Sequence, residues 1–137
     1  MRVNMQPMNV MRRLFLRFRY PVTLPEDVAT ALGVDLSNFL SFNEFMMELT
    51  KPNFKPGSLR RYMSRQKAEE AFRYAQRREI FNNSSLFSFY FLEGWMEFIM
   101  EFDEKDKLRR LYLHHKNIPN ERGIEIPLQV QPESPVR

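Results

Sequence analysis

His114 and His115 are the only imidazoles in the chain, so any metal or acid–base chemistry that needs histidine must run through them. They end an alternating apolar stretch, where neighbouring residues point to opposite faces of a strand. One metal or one substrate therefore cannot readily take both. Glu97 and Glu101 share a face of the stretch 95–103, as a carboxylate pair for general acid–base work would. A basic residue across the following hairpin suits them better as a partner. If Glu104-Lys105-Asp106 closes that hairpin, Glu101 faces Arg109 and Asp103 faces Lys107. Asp103, Glu104 and Asp106 have the composition of a solvated tip. The four glycines, Gly33, Gly57, Gly94 and Gly123, are scattered and form no phosphate-cradling loop. The absence of cysteine excludes thiolate catalysis, disulfides and cysteine-ligated metal. No Gly-x-Ser-x-Gly elbow is present. The expectation is a protein that is not an enzyme and needs no cofactor or metal.

Binding chemistry is better represented. Phenylalanine occurs 13 times in 137 residues. Phe87, Phe89 and Phe91 fall on one side of a strand, with Leu86, Ser88, Tyr90 and Leu92 on the other. Both sides are apolar, which suits a strand covered twice or a surface that meets a partner. Phe87, Phe89, Phe91 and Trp95 are the expected protein-binding anchors, for another protein or a second copy in a homodimer.

Charge suggests an alternative. Residues 1–25 carry five arginines and no acid, and residues 26–50 five acids and no base. Residues 51–78 carry nine bases against two acids, and residues 79–106 seven acids against one base. Internal pairing is one outlet, with Arg13, Arg17 and Arg19 beside Glu97, Glu101 and Asp103. A basic surface for nucleic acid is the other. It would use Arg60, Arg61, Arg65, Lys67, Arg73 and Arg77 on a helix at 58–78, with Arg17 and Arg19 on a strand that also carries Arg13 and Phe15. Ala29, Gly33, Val34, Phe39 and Phe42 fall at helix-turn-helix offsets within 28–42. The second helix of that pair holds no base and is flanked by Asp35 and Glu44, the wrong sign for phosphate.

The elements follow from periodicity. Residues 12–22 alternate as a strand. Thr23-Leu24-Pro25-Glu26 and Ser41-Phe42-Asn43-Glu44 are capping boxes, opening helices within 24–50 that Gly33 interrupts. Lys51 to Gly57 breaks the chain, and Ser58 is placed to cap a helix to residue 80. Residues 86–92, 95–103 and 108–116 alternate as strands. The order β-α-α-α-β-β-β predicts an α+β fold, a single domain with helices on one face of a mainly antiparallel four-stranded sheet. Residues 1–11 read as a flexible arm, 12–118 as the domain, and 119–137 as a proline-containing tail with an edge strand at 124–130. No apolar run approaches the roughly 18 residues of a membrane span. The polar residues Asn4, Gln6 and Asn9 leave no secretory signal core, and a cytoplasmic location is the expectation.

Overall fold

The computed structural model describes Thr23, residues 25–34 and residues 41–130. Within these, α1 (Pro25–Leu32) and α2 (Phe42–Leu49) precede β1 (Arg60–Arg61) and α3 (Arg65–Ala71). The strands β2 (Arg77–Ile80), β3 (Ser84–Phe91), β4 (Gly94–Phe102), β5 (Leu108–His114), β6 (Ile124–Ile126) and β7 (Gln129–Val130) follow. The strand expected at 12–22 lies outside the described residues.

The class is α+β with an antiparallel sheet. Among the described residues that sheet has five strands where four were expected, in the order β2-β3-β4-β5-β6, each pairing with the next. Beside the three strands expected at 86–92, 95–103 and 108–116, it contains β2, from the stretch read as helix, and β6, which lies within the stretch 124–130 named as an edge strand. A separate parallel pair joins β1 to β7. Short links make the meander possible, since antiparallel neighbours need only a turn. Gly94 opens β4 at φ 116, after the two-residue link Leu92-Glu93.

The helix expected over 58–80 is the main correction. It survives only as Arg65–Ala71, and its cap is Ser64, whose Oγ accepts from the Lys67 amide at 3.3 Å. Ser58 closes α1 instead, donating from Oγ to the Ala31 carbonyl at 2.6 Å and from its amide to the Leu32 carbonyl at 3.1 Å. Gly33, at φ 70, leaves no room for a side chain, because a Cβ there would lie 2.6 Å from the Ser58 nitrogen. Between these points, Tyr62 turns the chain at φ 76 and donates its amide to the Leu108 carbonyl at 2.6 Å. The carbonyl of Met63 accepts from Leu108 at 2.9 Å, so β5 draws this segment out of helix. Beyond Phe72 the sequence Arg77-Arg78-Glu79-Ile80 has no apolar stripe to hold a helix on the core. All four residues are exposed, as suits a charged edge strand.

The core lies between the helices and one face of the sheet. Phe72 stacks on Phe87 with centroids 5.3 Å apart and meets Phe98 at 5.2 Å. Phe42 and Phe45 of α2 meet Phe91 at 5.1 and 6.4 Å. The capping box read from Ser41 and Glu44 is formed, with both hydrogen bonds at 3.1 Å. It delivers Phe42, Phe45 and Leu49 to this core. Ile118, Ile126 and Leu128 join it from the C-terminal side.

Arg65 ties the corners together. Its Nε donates to Glu69 at 2.9 Å, and its terminal nitrogens donate to the carbonyls of Asn82, Phe81 and Ser84 at 2.8, 2.7 and 3.1 Å. It also reaches Ser85 Oγ at 3.1 Å and lies 4.7 Å from the Phe102 centroid. Ser85 in turn donates to the Glu69 carboxylate. No described helix is long and apolar enough to cross a membrane.

Candidate functional site

The alternation of β3 decides which expected anchors are accessible. Phe87, Phe89 and Phe91 are 0, 1 and 3% exposed and point into the core. They hold the helices and cannot anchor a partner from that position. Leu86, Ser88 and Tyr90 point to the opposite face, as do Trp95, Glu97 and Ile99 of β4. Trp95 is thus the one expected anchor on the outer face.

There Trp95 is half-buried and flanked on both sides. The Arg77 guanidinium lies 4.3 Å from its ring centroid, and Tyr90 packs at 5.1 Å. Strand register builds the surface in rows. Arg77, Ser88, Glu97 and His114 form one row, and Glu79, Leu86, Ile99, Tyr112 and Glu125 form the next. Glu97 bridges its row, 3.9 Å from Arg77 and 3.1 Å from His114 Nδ1. The third row pairs Glu101 with Arg110, whose guanidinium donates to the Tyr112 hydroxyl at 3.4 Å. Glu101 was expected to face Arg109, but the register shifts between Glu101 and Phe102. Arg109 instead reaches Asp103 at 3.9 Å and lies over Tyr62.

Serine, carboxylate and imidazole in one row invite comparison with a hydrolytic triad, and the order rules it out. Glu97 stands between Ser88 and His114, which are two strands apart, or about 9.6 Å. A triad needs the imidazole against the hydroxyl. Ser88 is fully buried, and its hydroxyl has no hydrogen-bond partner among the described residues. No group of three potential metal ligands occurs among the described residues.

His115 points to the other side of β5, as adjacency requires. It is buried against Phe42, 5.0 Å between centroids. Its Nδ1 accepts the Asn117 amide at 3.1 Å, so Nε2 carries the proton donated to the Glu93 carbonyl at 3.0 Å. Burial lowers its pKa from the ordinary 6.5, because desolvation disfavours the imidazolium. The unfolded chain therefore binds this proton more readily. The stabilisation is complete above the unfolded value and is lost as pH falls from there through the lower folded value. Urea unfolding at about pH 7.5 and about pH 5 is expected to show this loss, with His115→Gln reducing the difference.

The basic residues expected on one helix are dispersed. Only Arg65 and Lys67 belong to α3, and Arg65 is consumed by its structural bonds. Arg60 of β1 donates to Gln129 at 2.7 Å, and Arg61 is half-buried beside it. Arg73 lies over Tyr74, and Arg77 over Trp95. Lys67 is exposed. Arg17 and Arg19 lie outside the described residues. A cleft of about 560 Å³ between α3 and β2 holds Arg73 and Arg78, but Arg65, Glu69 and Asp106 on its walls already pair with one another.

The outer face could have been found from the sequence by weighing the two sides of β3. Three phenylalanines carry more apolar volume than Leu86, Ser88 and Tyr90, so the former side goes inward. Comparison of the chain with protein-family models, with curated proteins and with solved structures finds no match.

Proposed function

We propose that the chain is a non-enzymatic protein-binding module that holds its partner on the outer face of the sheet. The observation that carries this is the Arg77–Trp95–Tyr90 cluster on the face opposite the helices. Aromatic side chains backed by arginine are the usual anchors of protein interfaces. Charge selects the partner's chemistry. Glu79, Glu97, Glu101 and Glu125 outnumber Arg77 and Arg110 on this face, so it suits a segment of apolar residues flanked by lysine or arginine. A second copy of the chain is one source of such a segment.

The test is a photo-crosslinking residue installed at Ile99 in the full chain, with Gln66 on α3 as control. Protein adducts that survive nuclease are expected from Ile99 and not from Gln66. Adducts from both positions alike would remove the reading.

The stacks of Arg73 on the exposed Tyr74 and of Arg77 on the half-buried Trp95 support a second reading, binding of single-stranded nucleic acid. Bases stack on rings while arginine meets phosphate. The carboxylates of Glu97 and Glu101 oppose it, since they repel the backbone that supplies most of the affinity. Micromolar binding of single-stranded RNA at about 50 mM salt that collapses by about 200 mM would favour this reading over the first.

A further inference from the structure

Arg77 is an occupant of the outer face rather than part of its frame. It stands on the edge strand β2, opposite Ser88 in the register, and its side chain is 50% exposed. To come within 4.3 Å of the Trp95 centroid and 3.9 Å of Glu97, it crosses β3 above Ser88. The ion pair is loose, since 3.9 Å exceeds hydrogen-bonding distance. The two groups that Arg77 meets are held by other residues. Tyr90 packs on the Trp95 ring, and His114 Nδ1 meets Glu97 Oε1 at 3.1 Å, which leaves Oε2 toward Arg77. An indole face beside a carboxylate oxygen is a seat for a guanidinium, which stacks through its plane and donates through its edge. The hydroxyl beneath shows the cost of the present cover. Ser88 Oγ is buried with no hydrogen-bond partner, and water or a partner relieves that cost once Arg77 moves aside.

We infer that the Trp95 indole and the Glu97 carboxylate form a receptor for an arginine side chain of a partner protein, and that Arg77 fills it in the free chain. The inference rests on the proposed reading of the outer face and names the group that this face recognises. Glu79, Glu101 and Glu125 stand in the next two rows and draw a basic segment toward the seat. Ile99 lies two residues beyond Glu97, on the same side of β4. An apolar side chain two residues from the partner's arginine therefore shares the site. Lysine fits less well, because an ammonium has no plane to lay on the indole. Arg77 sets a threshold, since the partner's arginine has to displace it.

The experiment titrates a capped peptide, serine-arginine-serine-leucine-serine, into the full chain and into Arg77→Ala. Trp95 is the only tryptophan, so its emission reports on the seat. Arg77→Ala is expected to bind the peptide about two- to fivefold more tightly, the weight of an exposed cation–π contact. Citrulline in place of the peptide's arginine is expected to abolish that gain, as is Glu97→Gln added to the Arg77→Ala chain. An equal gain with a lysine peptide would overturn the assignment of the seat to a guanidinium. Unchanged or weaker binding by Arg77→Ala would overturn the inference while leaving the face as a site for basic segments. Binding to neither chain would overturn the inference and remove the basic-segment chemistry from the face as well. A second readout uses the unaltered chain. The Arg77 Nε–H resonance, shifted by the Trp95 ring current, is expected to move to its ordinary position as the peptide saturates. A resonance that stays shifted in the saturated complex would overturn the inference.

Discussion

Arg65→Ala is expected to cost about 2–4 kcal/mol of folding free energy, somewhat below the range for removing one partner of a fully buried ion pair, because the Arg65 and Glu69 side chains are 13 and 18% exposed. The loss is large because one guanidinium serves three parts of the fold. It holds the Glu69 carboxylate on its own helix and three carbonyls at the β2–β3 corner, and it lies against Phe102 at the end of β4. Alanine leaves the part-buried Glu69 without its cation and strips those carbonyls of their donor. Asp106 contributes little to the total, because its side chain is 65% exposed and such pairs are screened. Arg65→Lys keeps the charge but not the planar array of donors, and it is expected to recover less than half of the loss. The measurement is the urea midpoint at unchanged m-value. A cost below about 1 kcal/mol would mean that the corner is held by backbone pairing alone.

Phe72→Ala is expected to cost roughly 3–5 kcal/mol, for a different reason. The ring is 1% exposed and touches Phe87, Phe89 and Phe98 within 6.2 Å. Those neighbours are fixed by strand pairing and cannot close on the space left behind. The lost transfer energy is therefore joined by a cavity term. Phe72→Leu, which fills most of the volume, should cost about half as much. Near-equal values for the two variants would show that the site collapses freely.

Both residues lie in the stretch where sequence and structure part. The stripe Ala68, Ala71, Phe72 and Ala75 has helical spacing, and it extended the expected helix to residue 80. What ends α3 is not local. Phe72 is captured by rings that lie 15 to 26 positions further along the chain, and Arg77–Ile80 pairs with Ser85–Ser88 across a turn. Features set by near neighbours were legible: the Ser41–Glu44 capping box, the stop at Gly33 and the three long alternating strands. The one-residue bulge at Arg109 was not, and it moved Glu101 onto Arg110.

The candidate site was legible in the same uneven way. Trp95 stood out by type, and its place on an outer face followed from alternation. Phe87, Phe89 and Phe91 stood out equally, and their greater apolar bulk than Leu86, Ser88 and Tyr90 marks the side on which the helices pack. Arg77 was placed with the basic helix. It joins Trp95 because β2 is a strand, which lays Arg77 against Ser88 and so beside the Trp95 ring.

The central claim is that this sheet has one face that holds the fold and one that holds a partner. Trp95→Ala tests it most directly, with unfolding and the protein adducts from Ile99 measured on the same variant. The prediction is a stability loss no larger than about 1.5 kcal/mol, well below that of Phe72→Ala, together with loss of the adducts. A stability loss equal to that of Phe72→Ala, or adducts undiminished by the substitution, would contradict it.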